Sequence, residues 1–527
     1  MLGIRFEDGI GPRATALTLA AIIALAAILR VDRLGEAALS PDEGFSWRLA
    51  RDPLAEITSR TAADVHPPLY YFALRGWVSL LGDSTWALRS LSVLCGVAVV
   101  PLLYLVVLDG VSGAGGAGPV GRSSALLAAF LLATNASEVA FSRTARMYPL
   151  GVLLAALGAW ALLRALRPGL PRTGWWLAYG ATASAFLWTH NAAAFTIAAQ
   201  GAWVASAIVF RLARGDAPEA RRRALGLTAA AAVVLVTYGP WIPVAVRQFG
   251  MVRREYWIAP LSSAEAASLL ASWGLGLPEP GTLETLAALA VMVGAAGWVI
   301  VRRDQLGGFL LLQASTPWTI GLGIWLTTGR PILLERLLAF AQLAAFGTWA
   351  AAHRQIGDPV VRSALAVVLA LSSLSGLADS LARRPPAPQE AWRHAAAYLG
   401  AEARPGDLVI LSGPIAVNRL LHAMARAGVA GIDVRCLLRQ GATDGHINHA
   451  ASLKPEDILW TGPNAPSIRV PGRVWTVRSY GDRGADPALL DGRTRAQVRT
   501  FEAGGSDAIV TLYVRPDPGT GSGAVGP

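Results

Sequence analysis

Long apolar runs, separated by short polar or arginine-bearing segments, dominate the chain up to about residue 383. A helix needs roughly 20 apolar residues to cross a hydrocarbon core of about 30 Å. Windows of that kind predict about eleven transmembrane helices, at 14–30, 86–108, 122–140, 145–166, 174–190, 191–211, 223–245, 283–301, 306–327, 333–352 and 360–381. His190 and Asn191 interrupt what is otherwise one run over 174–211. The first run follows Arg5 and Arg13 and has no clear small-residue cleavage site at its end, so it reads as a first span rather than a signal peptide.

The polar segments between the runs set the orientation. With the N-terminus inside, the arginine-bearing segments 110–122, 164–172, 211–223, 302–303 and 353–362 face the cytoplasm, as the positive-inside rule asks. The first outer loop is then 31–85, and a second long one is 247–282. From residue 384 the pattern changes. "RRPPAPQ" reads as a stiff linker. "AWRHAAAYLGAEARPGDLVILSG" reads as an amphipathic helix, a turn and a buried strand, and "EDILWTG", "RVWTVRSYG" and "DAIVTLYVRP" read as further strands. The expected architecture is an α-helical polytopic membrane domain over 1–383, carrying interfacial helices, and a small extracytoplasmic α/β domain over 384–515. The tail 516–527, "GTGSGAVGP" and its neighbours, reads as disordered.

Composition supports a membrane protein. Of 527 residues, 53% are hydrophobic and only 15% charged, against about 25% in soluble domains. The basic excess, 46 − 35 = 11, is accounted for by cytoplasmic loop charge, so no nucleic-acid partner is expected. The two cysteines suggest neither a disulfide framework nor a cysteine metal site.

Candidate chemistry gathers on the outer side. "SPDEGFSW", from Ser40, opens a short helix with Ser40 or Asp42 as cap and Pro41 in its first turn. Asp42 and Glu43 are adjacent and cannot share one helix face. One can act as a general base toward a hydroxyl while the other anchors the loop. "ADVHPPLYYF" follows. Its prolines favour extended backbone and then a helix, and the apolar run from Pro67 to Gly82, about 24 Å long, is too short to span. Asp64 and His66 stand at its mouth, placed to hold a divalent metal, a polar ligand or only the loop. Arg143 and Arg146, Arg253 and Arg254, and Arg330 and Arg336 lie at the outer boundary, where the orientation rule predicts few cations; together they suggest a buried anion, with a lipid phosphate as the candidate. His190 is a polar landmark at the outer end of a span.

"SPDEGFSW", a gap of sixteen residues and "DVHPPLYYFALRGW" together resemble the bacterial protein-mannosyltransferase-like glycosyltransferases. These are GT-C fold enzymes related to the lipid A aminoarabinose transferases and rhizobial galacturonosyltransferases. "SRTARMYPLGVLLAAL", "LWTHNAAAF", "EYWIAP" and "RPILLERLLAF" fit later blocks in the same order, and the likeness covers most of residues 15–415. It implies an inverting transferase that takes a sugar from a polyprenyl-phosphate donor to a hydroxyl of a protein, lipid A or envelope glycan. The expected place is the outer side of the cytoplasmic membrane. It carries over Asp42 as base, with Glu43 in support. It implies Arg146, Tyr148 and Arg336 at the lipid phosphate, and Tyr70, His190, Arg254 and Tyr256 stand beside them as candidate substrate-binding residues. Lipid A relatives carry lysine where His66 stands, which implies that His66 touches phosphate or a metal; many relatives carry tyrosine where this chain has Leu337. No cofactor is required by the resemblance, and a divalent metal stays an option.

Two other classes compete. A flippase for a lipid-linked saccharide calls for charged or broken spans near mid-membrane, whereas these charges gather at the outer ends. A membrane scaffold leaves Asp42 and the outward arginines without a purpose.

Overall fold

A computed structural model describes residues 11–111, 118–168, 172–254, 261–277, 279–330, 332–383, 390–411, 414–439, 458–461, 473–479, 493–501 and 508–515. The chain enters through α1 (Pro12–Val31) and leaves it for three short helices, α2 (Pro41–Ala50), α3 (Leu54–Ala63) and α4 (Leu69–Leu81). A long helix α5 (Thr85–Val111) returns across the bundle. Then come α6 (Pro119–Thr134), α7 (Ala136–Ser142), α8 (Tyr148–Leu166), α9 (Arg172–Thr189), α10 (Ala193–Ala213) and α11 (Ala217–Tyr238). A second set of short helices, α12 (Ile242–Arg254) and α13 (Ser263–Leu275), precedes α14 (Thr282–Val301), α15 (Gln305–Thr328), α16 (Glu335–Gln355) and α17 (Pro359–Ala382).

A helix stands at each of the eleven predicted spans, but they are not alike. Among the described residues eight helices are long and apolar enough to cross a membrane, and α6 with α7 makes a ninth when counted as one span bent by 58°. The bend falls at Asn135, whose Oδ1 accepts the Glu138 N–H at 3.0 Å and so starts a new helix. Arg30 of α1 braces the bend from behind, donating to the Leu132 and Ala133 carbonyls and to Ser142 Oγ. The predicted span 145–166 starts later than expected, because 143–147 forms a turn ahead of α8.

The helix α16 is not one of the eight, and it lies enclosed in the bundle. All sixteen residues from Leu338 to His353 are buried, so it is covered by protein on every side. Gln342 donates to the Trp273 carbonyl at 2.7 Å, and Trp273 Nε1 donates to the Leu338 carbonyl at 3.0 Å. Gly151 of α8 admits the Phe340 ring; a Cβ there would meet it at 2.3 Å.

Beyond the bundle, α18 (Glu390–Glu402) leads into a six-stranded sheet. Its strands are β1 (Leu408–Leu411), β2 (Asp433–Arg439), β3 (Ile458–Thr461), β4 (Val474–Ser479), β5 (Thr494–Phe501) and β6 (Ala508–Val514), with α19 (Pro414–Arg426) between β1 and β2. The order is β3-β2-β1-β4-β6-β5: the first four strands are parallel and the last two pair antiparallel. The strand β1 is buried throughout, as an inner parallel strand should be. Its core joins Trp392, Leu399, Val417, Leu420 and Trp475. The expected tail 516–527 lies outside the described residues.

Candidate active site

The helix α2 begins with a full capping box. Ser40 Oγ accepts the Glu43 N–H, Glu43 Oε2 accepts the Ser40 N–H at 2.8 Å, and Pro41 occupies the first turn. This turns the Glu43 side chain inward, onto Arg89 of α5. The pair is bidentate, with Nε to Oε1 at 2.7 Å and Nη2 to Oε2 at 2.9 Å. Arg89 spends its other N–H bonds on the carbonyls of Leu34, Ala37 and Ala38. Burial alone would push the Glu43 carboxyl up. Arg89, helped by the N–H groups of Ser40 and Ala145, instead holds it below the usual carboxylate range. Glu43 is therefore an anchor: it touches no open space and its oxygens are committed.

Asp42 lies one residue earlier and about 100° round the helix, so its carboxylate faces away from Arg89. Its Oδ2 is 3.9 Å from Arg146 Nε and 3.9 Å from Arg336 Nη1. Its side chain is 37% exposed, whereas that of Arg146 is only 6% exposed. Arg146 sits in the turn between α7 and α8 and Arg336 in the first turn of α16. The bundle thus delivers two guanidinium groups to one carboxylate from opposite ends of the sequence.

Arg146 is held by a ring of neighbours. Nη1 donates to the Asp42 carbonyl and to Tyr71 Oη, each at 3.3 Å, while Nη2 faces His66 Nε2 at 3.4 Å. Its Nε is buried and makes no hydrogen bond among the described residues. His66 Nδ1 lies 2.8 Å from Asp64 Oδ2. With the Nδ1–H donated to this buried carboxylate, Nε2 is left to accept from Arg146. Asn191 fixes the loop by donating to the Val65 carbonyl at 3.1 Å, and Gln248 does so through the Thr61 carbonyl at 2.8 Å.

His190 closes the far wall. Its Nδ1 accepts the Ala192 N–H at 3.0 Å, which bridges the break between α9 and α10 and leaves the proton on Nε2. The ring stands 5.8 Å from that of His66, 6.1 Å from Tyr148 and 5.0 Å from Phe340. Burial, with His66, Arg146 and Arg336 nearby, keeps this imidazole well below its usual range and so neutral.

Several expectations change here. Tyr71, not Tyr70, carries the hydroxyl that meets Arg146; Tyr70 is buried behind it, edge-on at 5.5 Å between ring centres. Asp64 and His66, the candidate metal pair, face each other at 2.8 Å. One imidazole nitrogen meets the carboxylate and the other faces the Arg146 guanidinium. No group of three or more His, Cys, Asp or Glu side chains able to hold a metal occurs among the described residues. The outer arginines do not all converge. Arg143 donates to the Leu29 carbonyl and Arg330 is exposed, which among the described side chains leaves Arg146 and Arg336 as the pair at Asp42. Tyr256 and the side chains of Arg253 and Arg254 lie outside the described residues. Sequence reasoning missed Arg89 and Tyr71. Arg89 could have been found as a charge inside a predicted span.

The fold defined by these elements is that of the GT-C membrane glycosyltransferases, and the chain is a multi-pass membrane protein. Residues 65–241 match the family described as dolichyl-phosphate-mannose-protein mannosyltransferase. Among solved structures, ArnT from Cupriavidus metallidurans in the apo state is 14% identical with a TM-score of 0.59, covering 95% of this chain and 98% of its own. The same protein bound to undecaprenyl phosphate is 13% identical, with the same TM-score and coverage. The Archaeoglobus fulgidus oligosaccharyltransferase, in complex with Zn and sulfate, is 13% identical with a TM-score of 0.51, covering 87% of this chain and 67% of its own. No curated protein sequence matches the chain.

Proposed function

We propose that this protein moves a sugar from a polyprenyl-phosphate donor to an acceptor hydroxyl, with inversion, at the outer face of the cytoplasmic membrane. The observation that carries the reading is the Asp42 carboxylate set between Arg146 and Arg336. One half of the site supplies a base, the other an anion-binding wall. Asp42 takes the proton from the acceptor hydroxyl as its oxygen attacks the anomeric carbon. The bond from that carbon to the phosphate oxygen breaks, and its electron pair leaves with the lipid phosphate. Arg146, which is buried, and Arg336 stabilise the charge that develops there. Arg146 is suited to this because its Nε is buried and unbonded, and its other donors are held in place by Asp42 and Tyr71. His190, kept neutral by burial, shapes the far wall.

No metal enters this scheme, since two guanidinium groups supply the electrostatic work. The likeness to a structure with bound undecaprenyl phosphate supports a lipid-phosphate donor. The acceptor classes compatible with the reading are a protein hydroxyl, lipid A and an envelope glycan. Purified protein in lipid nanodiscs, given polyprenyl-phosphate pentose or hexose donors and an envelope extract, is expected to release polyprenyl phosphate and label an acceptor. The Asp42→Asn variant should do neither. Equal turnover by both proteins would remove the reading.

A further inference from the structure

The α/β region reaches back onto the bundle at α2, the helix that carries Asp42. A ten-residue helix has little stability alone and takes its orientation from what it packs on. Phe45 of α2 meets Tyr71 of α4 edge-on at 5.8 Å, on the side of the site. Gly44 and Trp47, three residues apart and so on one face, turn to α19 instead. A Cβ on Gly44 would stand 3.1 Å from Asn418 Cβ and 3.4 Å from the Arg419 amide nitrogen. This is backbone-close contact, and a side chain on Gly44 would oblige α19 to give by a few tenths of an ångström. Trp47 meets the His422 ring edge-on at 5.3 Å, and its Nε1 donates to Asp83 at 3.0 Å. A second touch comes from α18, where Arg393 donates to the Gly35 carbonyl at 3.4 Å, inside the loop gripped by Arg89.

We infer that α19 is a positioning element of the reaction: seated at Gly44 through Asn418, it fixes the roll of α2 about its axis and so aims the Asp42 carboxylate between Arg146 and Arg336. Asp42 is two residues from the seat, and successive residues turn by about 100°, so a small roll of α2 swings its carboxylate off the arginines. The α/β region is then part of the catalytic unit. Its Asn418 touches neither donor nor acceptor and acts through α2. The inference rests on the proposed role of Asp42.

The test uses the full-length protein with graded wedges, Gly44→Ala and Gly44→Val, and a relieving change, Asn418→Gly. Gly44→Val is expected to lower kcat at least tenfold while the affinity for polyprenyl phosphate, measured directly, stays within twofold. Adding Asn418→Gly to Gly44→Ala should restore at least half of the lost kcat. Hydrogen exchange provides a readout independent of turnover: amides of α2 should lose protection in Gly44→Val while those of α8 keep theirs. Unchanged kcat, or an equal loss of kcat and lipid affinity, overturns the positioning role. If the unaltered protein transfers no sugar, the proposed function fails, and the exchange pattern alone decides whether α19 holds α2.

Discussion

Glu43 Oε1 accepts the backbone N–H of Ala145 at 3.0 Å. The neighbours of these two residues are Asp42 and Arg146, so one hydrogen bond clamps the proposed base to the proposed phosphate ligand. Arg89 holds the other side of the same carboxylate. The clamp is buried and its geometry does not depend on substrate.

Breaking it should be costly. Removing one partner of a buried ion pair typically destabilises by about 3–5 kcal/mol, because the other charge is left without compensation. Glu43→Gln and Arg89→Met are each expected to lower the thermal midpoint in detergent by several degrees, and Glu43→Met with Arg89→Met to recover part of the loss. The pH dependence has a definite sign. A carboxyl held below its ordinary value contributes stability above pH 4.5, and loses it as pH falls through the lower folded value. A melting series down the acid range should show this loss in the unaltered protein and not in Glu43→Gln.

Asp42→Asn keeps the shape of the side chain and removes the base. Transfer is expected to fall about 10²–10⁴-fold, the usual reach of general-base catalysis. Lipid-phosphate binding should persist. A variant with full turnover would show that another group takes the proton.

Arg146→Ala removes a buried guanidinium with an unbonded Nε. Each charge-assisted hydrogen bond is worth about 1.5–3 kcal/mol, so affinity for polyprenyl phosphate should weaken about tenfold to a hundredfold. Arg146→Lys keeps the charge but not the planar fork and should fall between. Titration of the lipid by intrinsic fluorescence checks both, and an unchanged affinity would count against the phosphate role.

His66 is held by Asp64 and meets Arg146 with its other nitrogen. Chelation by EDTA should therefore leave turnover intact, while Asp64→Asn should lower lipid affinity by loosening the His66–Arg146 contact. Loss of activity on chelation, restored by one divalent metal, would reverse the assignment.

The apolar runs announced a helix at every predicted span, and "SPDEGFSW" announced the cap that Ser40 makes. What the sequence left dark depends on contacts between distant segments. Arg89 and Glu43 are 46 residues apart, and Arg146 meets Asp42 across 104. Tyr71 and Tyr70 are equivalent in a string of letters; only the packing of α4 sends one hydroxyl to Arg146. In the α/β region, β1, β3, β4 and β6 were readable as apolar segments. By contrast β5 is largely exposed, with a pattern no alternation rule would choose. The approach of α19 to Gly44 had no local signal at all.

The burial of α16 bears on how the protein is made. A helix wrapped in protein and bearing Gln342, Thr348 and His353 gains little from lipid, and Arg336 rides in its first turn. During biogenesis it has to be received by partners already in place, α6 and α8 before it and α15 beside it. The second guanidinium therefore arrives at Asp42 only once most of the bundle has assembled, so an incompletely built chain carries a carboxylate without its full cationic wall.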